Sequence, residues 1–512
     1  MNTFTSPSVF RSVCWVGALS LLVRLWIGYS FPITGDEAYF YWWGRYPDWG
    51  YYDHPPMAGW WIALMLQLFG DSTFAIRMPA MVLPLALGAS LWWGFSAIDR
   101  DKTAWAILLL WLTPIHWLNA LITTDTPLIF WSVMSVCALA RAESAGTSTR
   151  GTVVLYIVSG LCLGLAFLSK YFAVVIGLAY LVYFLSERRD RFGLFMVLVV
   201  AAMPGPVINL LWNMDHGWAN IMFNVFNRNQ DASFTWLNPS LYVLTWAYLL
   251  TPAVAWVAWR QRAALAVGLR QQPLLKMVIV VPVVFFALIA VKKVVGLHWL
   301  LNFYPFVFVA LAFALPVQHI KTCAKGLALF LGLHLVVLAG LYSSQLSDWQ
   351  NTSFYAKVVR SYRTEALLKQ VTSPDTVMMT TSYTPAAIYG QTLKRYVPVF
   401  GTGSHHARQD DLVVDFSAFN GKTIRILVSE APNLNAYAPF FNSVSQWPIH
   451  QDGATFYVVE GQQFNAQVYK DRVLRDVMAS YHQIPSWLPM TGCPICVQYC
   501  QQVRCAPVST SP

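Results

Sequence analysis

Between residues 12 and 342 the chain returns repeatedly to apolar runs long enough to leave water. Eleven can be marked: 12–31, 75–97, 103–120, 127–141, 152–168, 172–186, 193–212, 240–259, 277–291, 299–316 and 326–342. A segment in hydrocarbon must satisfy its backbone N–H and C=O groups within itself, so each run is expected to be a helix. About 20 residues cross a bilayer, so the shortest runs must continue into their loops. Charged residues are 11% of the 512, hydrophobic residues 56%, and the mean hydropathy is +0.47. An ordinary soluble chain carries about 25% charge, and so few charges cannot cover a soluble surface of this size. Disorder, a collagen-like repeat and a small disulfide scaffold are excluded as whole-chain descriptions. The 23 Trp, 24 Tyr and 31 Phe suit aromatic belts at two membrane interfaces. The expected class is a mainly α, polytopic membrane protein.

Loop charges orient it. One alternate set of loops holds Arg100, Lys102, Arg141, Arg150, Arg188, Arg189, Arg191, Arg260, Arg262, Arg270, Lys276, Lys321 and Lys325, which is 13 cations. The other set holds Arg45, Lys170, Arg228, Lys292 and Lys293, which is 5. The positive-inside rule places the first set, and the N-terminus, in the cytoplasm. The net charge of +10 is thereby a matter of topology, and no nucleic-acid partner is implied. The first run lacks a small-residue cleavage site and is expected to stay attached. Residues 57–70 are apolar but short, and read as a helix lying at the membrane surface. Arg24 and Arg77 fall inside runs. Each reads either as a snorkelling cation or as one facing an anionic lipid head.

Residues 343–512 differ. Charges, polar turns and strand-like runs at 376–382, 424–430 and 454–460 read as a small extracytoplasmic α/β domain, against a membrane domain over 1–342.

The polar clusters fall in the outer loops. The first, 32–56, opens on the adjacent carboxylates Asp36 and Glu37 and ends in Asp53 and His54 before two prolines. A base, a metal site or a substrate anchor would each explain carboxylates there. Asp125 lies between hydroxyls at the start of a run, as a helix N-cap or a site residue. Lys170, beside Tyr171, is a lone outer cation, either snorkelling or contacting phosphate. Lys292 and Lys293 precede His298. Outer cations that break the charge rule on one face suggest an anion site. A lipid-linked phosphate substrate needs this set: cations for phosphate, a carboxylate for an acceptor hydroxyl.

The segments TGDEAYFYWW, WGYYDHPPM, TTDTPL, SKYF, WNMDHGW and HWLLNFYP, in this order, resemble the bacterial branch of the protein O-mannosyltransferase and aminoarabinose-transferase superfamily, glycosyltransferases of the GT-C fold. The resemblance covers roughly residues 10–320. It implies about eleven transmembrane helices and a polyprenyl-phosphate (undecaprenyl-phosphate) sugar donor used on the outer side of the bacterial inner membrane. It also implies transfer with inversion. Asp36 is then the catalytic carboxylate, followed by Glu37. Lys170, Lys292, Lys293, Arg24 and His54 are candidates for the donor phosphate, with Asp53, Asp125, Tyr171 and His298 as further substrate contacts. No cofactor is required. A divalent metal is allowed, with Asp36, Asp53 and His54 as its ligands. The preferred acceptor is an envelope glycolipid such as lipid A, or another envelope polysaccharide. A protein acceptor is the alternative, and a flippase of lipid-linked sugars is the rival from another class.

Cys14, Cys137 and Cys162 read as packing residues within runs. Cys493, Cys496, Cys500 and Cys505 cluster in the tail, where disulfides, a zinc site and free thiols are all open.

Overall fold

The structure is a computed structural model and describes residues 7–144, 150–229 and 234–500. Each apolar run carries helix. Among the described residues seven helices are long and apolar enough to cross a membrane: Ser8–Ser30, Thr73–Phe95, Arg150–Phe167, Arg189–Asp215, Leu237–Arg260, Pro273–Ala290 and Val317–Ser343. The other runs break or shorten. Arg100–Trp111 stops before Thr113-Pro114, since a proline disfavours helix in the residue before it. Ala173–Ser186 and Tyr304–Ala314 are shorter apolar helices, as is Met57–Phe69. Asp125–Ser144 is long but carries more charge.

The chain divides into two compact units. The helical unit is drawn from Met1–Phe31, Met65–Ile208 and Ala232–Tyr342. One close helix contact uses Gly160 and Gly164, spaced four apart. A Cβ on Gly160 would lie 2.2 Å from the carbonyl of Leu198, and one on Gly164 2.6 Å from that of Ala202. Small residues at this spacing let backbones approach where no hydrophobic effect pulls helices together. Arg24 and Arg77 do not snorkel: they are 1% and 0% exposed. The Arg24 guanidinium donates to the carbonyls of Met81, Ala80, His116 and Asn119. Helix Thr73–Phe95 contains Pro84, which has no N–H for the carbonyl four residues earlier, that of Ala80. Arg24 supplies the missing donor. Arg77 donates to the carbonyls of Gly28 and Phe31, at the end of the first helix, at 3.0 and 2.8 Å.

The second unit comprises Pro32–Leu64, Asn209–Asp231 and Ser343–Pro512. It holds a four-stranded sheet: β1 (Thr376–Met379), β2 (Thr423–Val428), β3 (Ser443–Gln451) and β4 (Ala454–Gln462), in the order β1-β2-β4-β3. β1 and β2 are parallel, joined through helix Tyr383–Leu393, and the other pairs are antiparallel. The β3–β4 turn places Asp452 and Gly453 at φ 46° and 80°, the Asp-Gly preference of a tight hairpin. Arg425 and Glu460 face each other across β2 and β4 and pair at 2.8 Å.

The C-terminal segment is not the whole of this unit. Tyr52 donates through its N–H to Gln409 Oε1 and through its hydroxyl to the His405 carbonyl, at 2.9 and 3.1 Å. Asn220 donates to the Tyr51 carbonyl at 2.9 Å, and the Trp218 indole to the Pro489 carbonyl at 2.8 Å. The first and fourth polar loops thus fold with the sheet, where the sequence reading drew its boundary at 342.

Candidate active site

Helix Gly35–Arg45 is started by a capping box. Thr34 Oγ1 accepts from the Glu37 N–H at 3.4 Å, and Glu37 Oε2 accepts from the Thr34 N–H at 3.1 Å. Glu37 is 1% exposed. The adjacent carboxylates therefore separate by role: Glu37 turns inward and fixes the start of the helix, while Asp36 is exposed in the first turn. That turn is where free backbone N–H groups and the helix dipole favour a carboxylate as its anion. Asp36 Oδ1 accepts from the Tyr383 hydroxyl at 3.1 Å. Tyr383 begins helix Tyr383–Leu393, and Gly35 lets it come near: a Cβ there would sit 2.4 Å from the Thr384 methyl.

The Tyr39 ring lies edge-on to Tyr383 at 5.9 Å, and its hydroxyl donates to Asp53 Oδ1 at 3.2 Å. Asp53 is buried. Burial, with the charge of Asp36 adding to it, pushes the Asp53 carboxyl up to about 7 against the hydrogen bond from Tyr39. Asn224 of the fourth loop donates to the Asp53 carbonyl at 3.0 Å. His54 is half-buried, with its ring 6.0 Å from Trp43, which stacks on Tyr51 at 4.5 Å.

The remaining candidates belong to the helical unit. Lys170 Nζ lies 2.9 Å from both carboxylate oxygens of Asp125, and both residues are buried. Two residues read separately, as a phosphate contact and a cap or substrate contact, form one ion pair. Lys170 also lies over the Phe172 ring at 5.4 Å, and Tyr171 packs on Phe167 at 5.3 Å. Lys292 and His298 are exposed and Lys293 is half-buried, in the loop leading to Leu297–Leu300. Arg24 is occupied by the four backbone carbonyls described above.

No group of three or more His, Cys, Asp or Glu side chains that could hold a metal ion occurs among the described residues. Asp36, Asp53 and His54, read as an allowed metal set, are therefore not assembled as one. Cys493 and Cys496 form a disulfide. The Cys500 side chain and Cys505 lie outside what is described.

The sequence reading missed Tyr383 and Tyr39. Tyr39 carried a signal: at i+3 from Asp36 it shares a helix face with it. Tyr383 carried none, because the tertiary fold alone brings it to Asp36.

The helices long and apolar enough to span a bilayer define a multi-pass membrane protein, whose sheet-bearing unit presents the exposed carboxylate of Asp36. Residues 53–212 match the family described as dolichyl-phosphate-mannose-protein mannosyltransferase. The chain is 30% identical over 190 residues to lipid A galacturonosyltransferase RgtD of Rhizobium johnstonii, 35% of this chain and 38% of that protein. It is 31% identical over 168 residues to the undecaprenyl phosphate-alpha-4-amino-4-deoxy-L-arabinose arabinosyl transferase of Edwardsiella ictaluri, 31% of this chain and 30% of that one. The chain thus spans less than two-fifths of either relative. The fold is shared with the crystal structure of ArnT from Cupriavidus metallidurans bound to undecaprenyl phosphate, at a TM-score of 0.61 and 14% identity, over 87% of this chain and 97% of that one.

Proposed function

We propose that this chain is a membrane glycosyltransferase. It moves a sugar from a polyprenyl-phosphate donor, undecaprenyl phosphate in the bacterial case, to an envelope glycolipid such as lipid A or to another envelope polysaccharide. The observation that carries this reading is the exposed carboxylate of Asp36, fixed at a helix start by the Thr34–Glu37 box and oriented by Tyr383. The names of the relatives, each a transferase acting from a lipid phosphate or on lipid A, support the substrate classes. The 13-to-5 division of loop cations supports a cytoplasmic N-terminus, with the sheet-bearing segment on the periplasmic side of the inner membrane.

The acceptor oxygen attacks the anomeric carbon as the bond from that carbon to the phosphate oxygen breaks, inverting the centre. Asp36 takes the hydroxyl proton, and the polyprenyl phosphate leaves with the electron pair. Where the acceptor is itself an ionised phosphate, Asp36 orients the oxocarbenium-like centre instead. Glu37 is a positioning residue. Lys170, Lys292, Lys293, Arg24 and His54 are the candidates for the donor phosphate; of these Lys170 also holds Asp125 and Arg24 holds backbone carbonyls. No cofactor is required: transfer should survive a chelator, and loss restored by one divalent ion would overturn that part.

The test is mass spectrometry of lipid A, envelope polysaccharide and glycoproteins from cells carrying the wild type or Asp36→Asn at equal membrane abundance. A sugar-sized mass seen only with the wild type supports transfer and names the acceptor class. Sugar on protein alone moves the assignment to a protein O-glycosyltransferase. The same addition with both proteins removes Asp36 from catalysis.

A further inference from the structure

The sheet-bearing unit holds a cavity of about 390 Å³ that the roles above touch only through Tyr383. This volume is within the usual range for small-molecule sites, roughly 300–1,000 Å³. Its inner wall is aromatic: the Tyr469 ring lies 5.1 Å from that of Phe400 and 5.0 Å from that of Phe416. Its rim is hydroxylic and exposed, with Thr402 and Ser404 prominent. Tyr383 lines the cavity as well, and its hydroxyl is the donor to Asp36.

Charge decides the ligand class. With its histidine, His406, neutral, the lining holds two carboxylates, Asp410 and Asp411, against one guanidinium, Arg408. Arg408 is committed. It donates to both oxygens of Asp411 at 2.6 and 3.0 Å, and to the carbonyls of Thr402 and Ser404 at 2.5 and 3.0 Å. A phosphate or carboxylate entering here would meet net negative charge with the guanidinium already spent. An uncharged or amine-bearing sugar meets no such penalty. Its apolar ring face suits the aromatic wall, and its hydroxyls suit the rim.

We propose that this cavity is a second sugar-binding site, taking a neutral or amino sugar unit of the acceptor. The assignment to the acceptor rests on the glycosyl-transfer reading above; the assignment to a sugar does not.

The experiment uses the full chain in lipid nanodiscs, free of glycoside detergents, and saturation-transfer NMR with free galactose, glucosamine, galacturonate and inorganic phosphate. Galactose and glucosamine should show saturable contact, weakened at least tenfold in both Thr402→Trp and Ser404→Trp, each of which places an indole at the rim. Unchanged melting temperatures show that the variants are folded. Phosphate should not displace the sugar, and galacturonate should bind at least tenfold more weakly than galactose. The proposal is overturned by displacement with phosphate, by sugar contact that survives both rim variants, or by no contact up to about 20 mM, where even a millimolar site is nearly full. Sugar contact without any transfer in cells keeps this site and removes the transferase reading. Transfer unaltered by both rim variants, with no sugar contact, does the reverse.

Discussion

The hydroxyl of Tyr383 donates to Oδ1 of Asp36 at 3.1 Å, joining residues 347 positions apart. A base needs one lone pair aimed at its proton, and an exposed carboxylate otherwise rotates. Asp36→Asn should therefore lower transfer by ~10²–10⁴-fold, the usual worth of general-base help. Tyr383→Phe keeps the charge and the ring, and loses only the hydrogen bond. A hydrogen bond to a charged group is worth about 1.5–3 kcal/mol, and exposure places this one at the low end, so kcat should fall roughly tenfold. Steady-state rates with the lipid donor check both. A kcat unmoved by Tyr383→Phe would leave Asp36 without this partner's help.

Asp53 gives a pH signature. Its carboxyl is raised to about 7 in the folded protein, against 3.8 as its ordinary value, chiefly by burial. The folded state therefore binds the proton more tightly than the unfolded state. The stability this contributes is full below about pH 4 and is lost as pH rises through 7. The three-unit difference caps the effect at about 4 kcal/mol. Asp53→Asn should remove the slope, so that its melting temperature gains on that of the wild type between pH 5 and pH 8. Parallel pH profiles for the two proteins would show that Asp53 is ionised throughout.

The Asp125–Lys170 pair predicts an asymmetry. Removing one partner of a buried ion pair strands the other charge, at about 3–5 kcal/mol, whereas replacing both with apolar residues of similar size is often neutral. Asp125→Leu alone should sharply reduce folded protein in membranes, and the Asp125→Leu/Lys170→Met double variant should recover most of it. Thermal stability by size-exclusion chromatography of detergent extracts reads this out. If the recovered double variant still transfers sugar, the pair is structural. If it folds and does not, Lys170 or Asp125 also serves the substrate.

What was legible follows from range. The membrane helices could be read because hydrocarbon demands long apolar runs, and each such run carries helix. The short helices at 100–111, 173–186 and 304–314 show the limit, since a proline or a polar turn ends them before a full crossing. In the sheet, β1, β2 and β4 showed as apolar strand-like runs. β3 did not, because Pro448 and its polar neighbours disguise it. An edge strand tolerates proline, as its outer N–H groups need no sheet partner. Asp36 was legible from its place after the first run. Its separation from Glu37 was not, because a capping box and an active-site pair both begin with a carboxylate near a hydroxyl. The pairing of Asp125 with Lys170 spans 45 positions and depends on how helices pack, which no local pattern encodes.

Arg24 and Pro84 supply a coupled test. The proline leaves the Ala80 carbonyl without its helical donor, and the buried guanidinium provides one while also holding Met81, His116 and Asn119. Arg24→Met fills much of the volume and leaves four carbonyls without this donor. Each buried group so abandoned costs about 1–3 kcal/mol, so little folded protein should survive. Pro84→Ala restores an N–H to the Ala80 carbonyl, making one of the four independent of Arg24. Pro84→Ala/Arg24→Met should then be more stable than Arg24→Met by roughly the worth of one such bond, about 1 kcal/mol. Pro84→Ala in the wild-type background should gain less, because that carbonyl is already satisfied. The four melting temperatures form a double-mutant cycle. A coupling energy of zero would mean that Arg24 and Pro84 act independently, and the account of why a buried arginine sits in an apolar helix would fail.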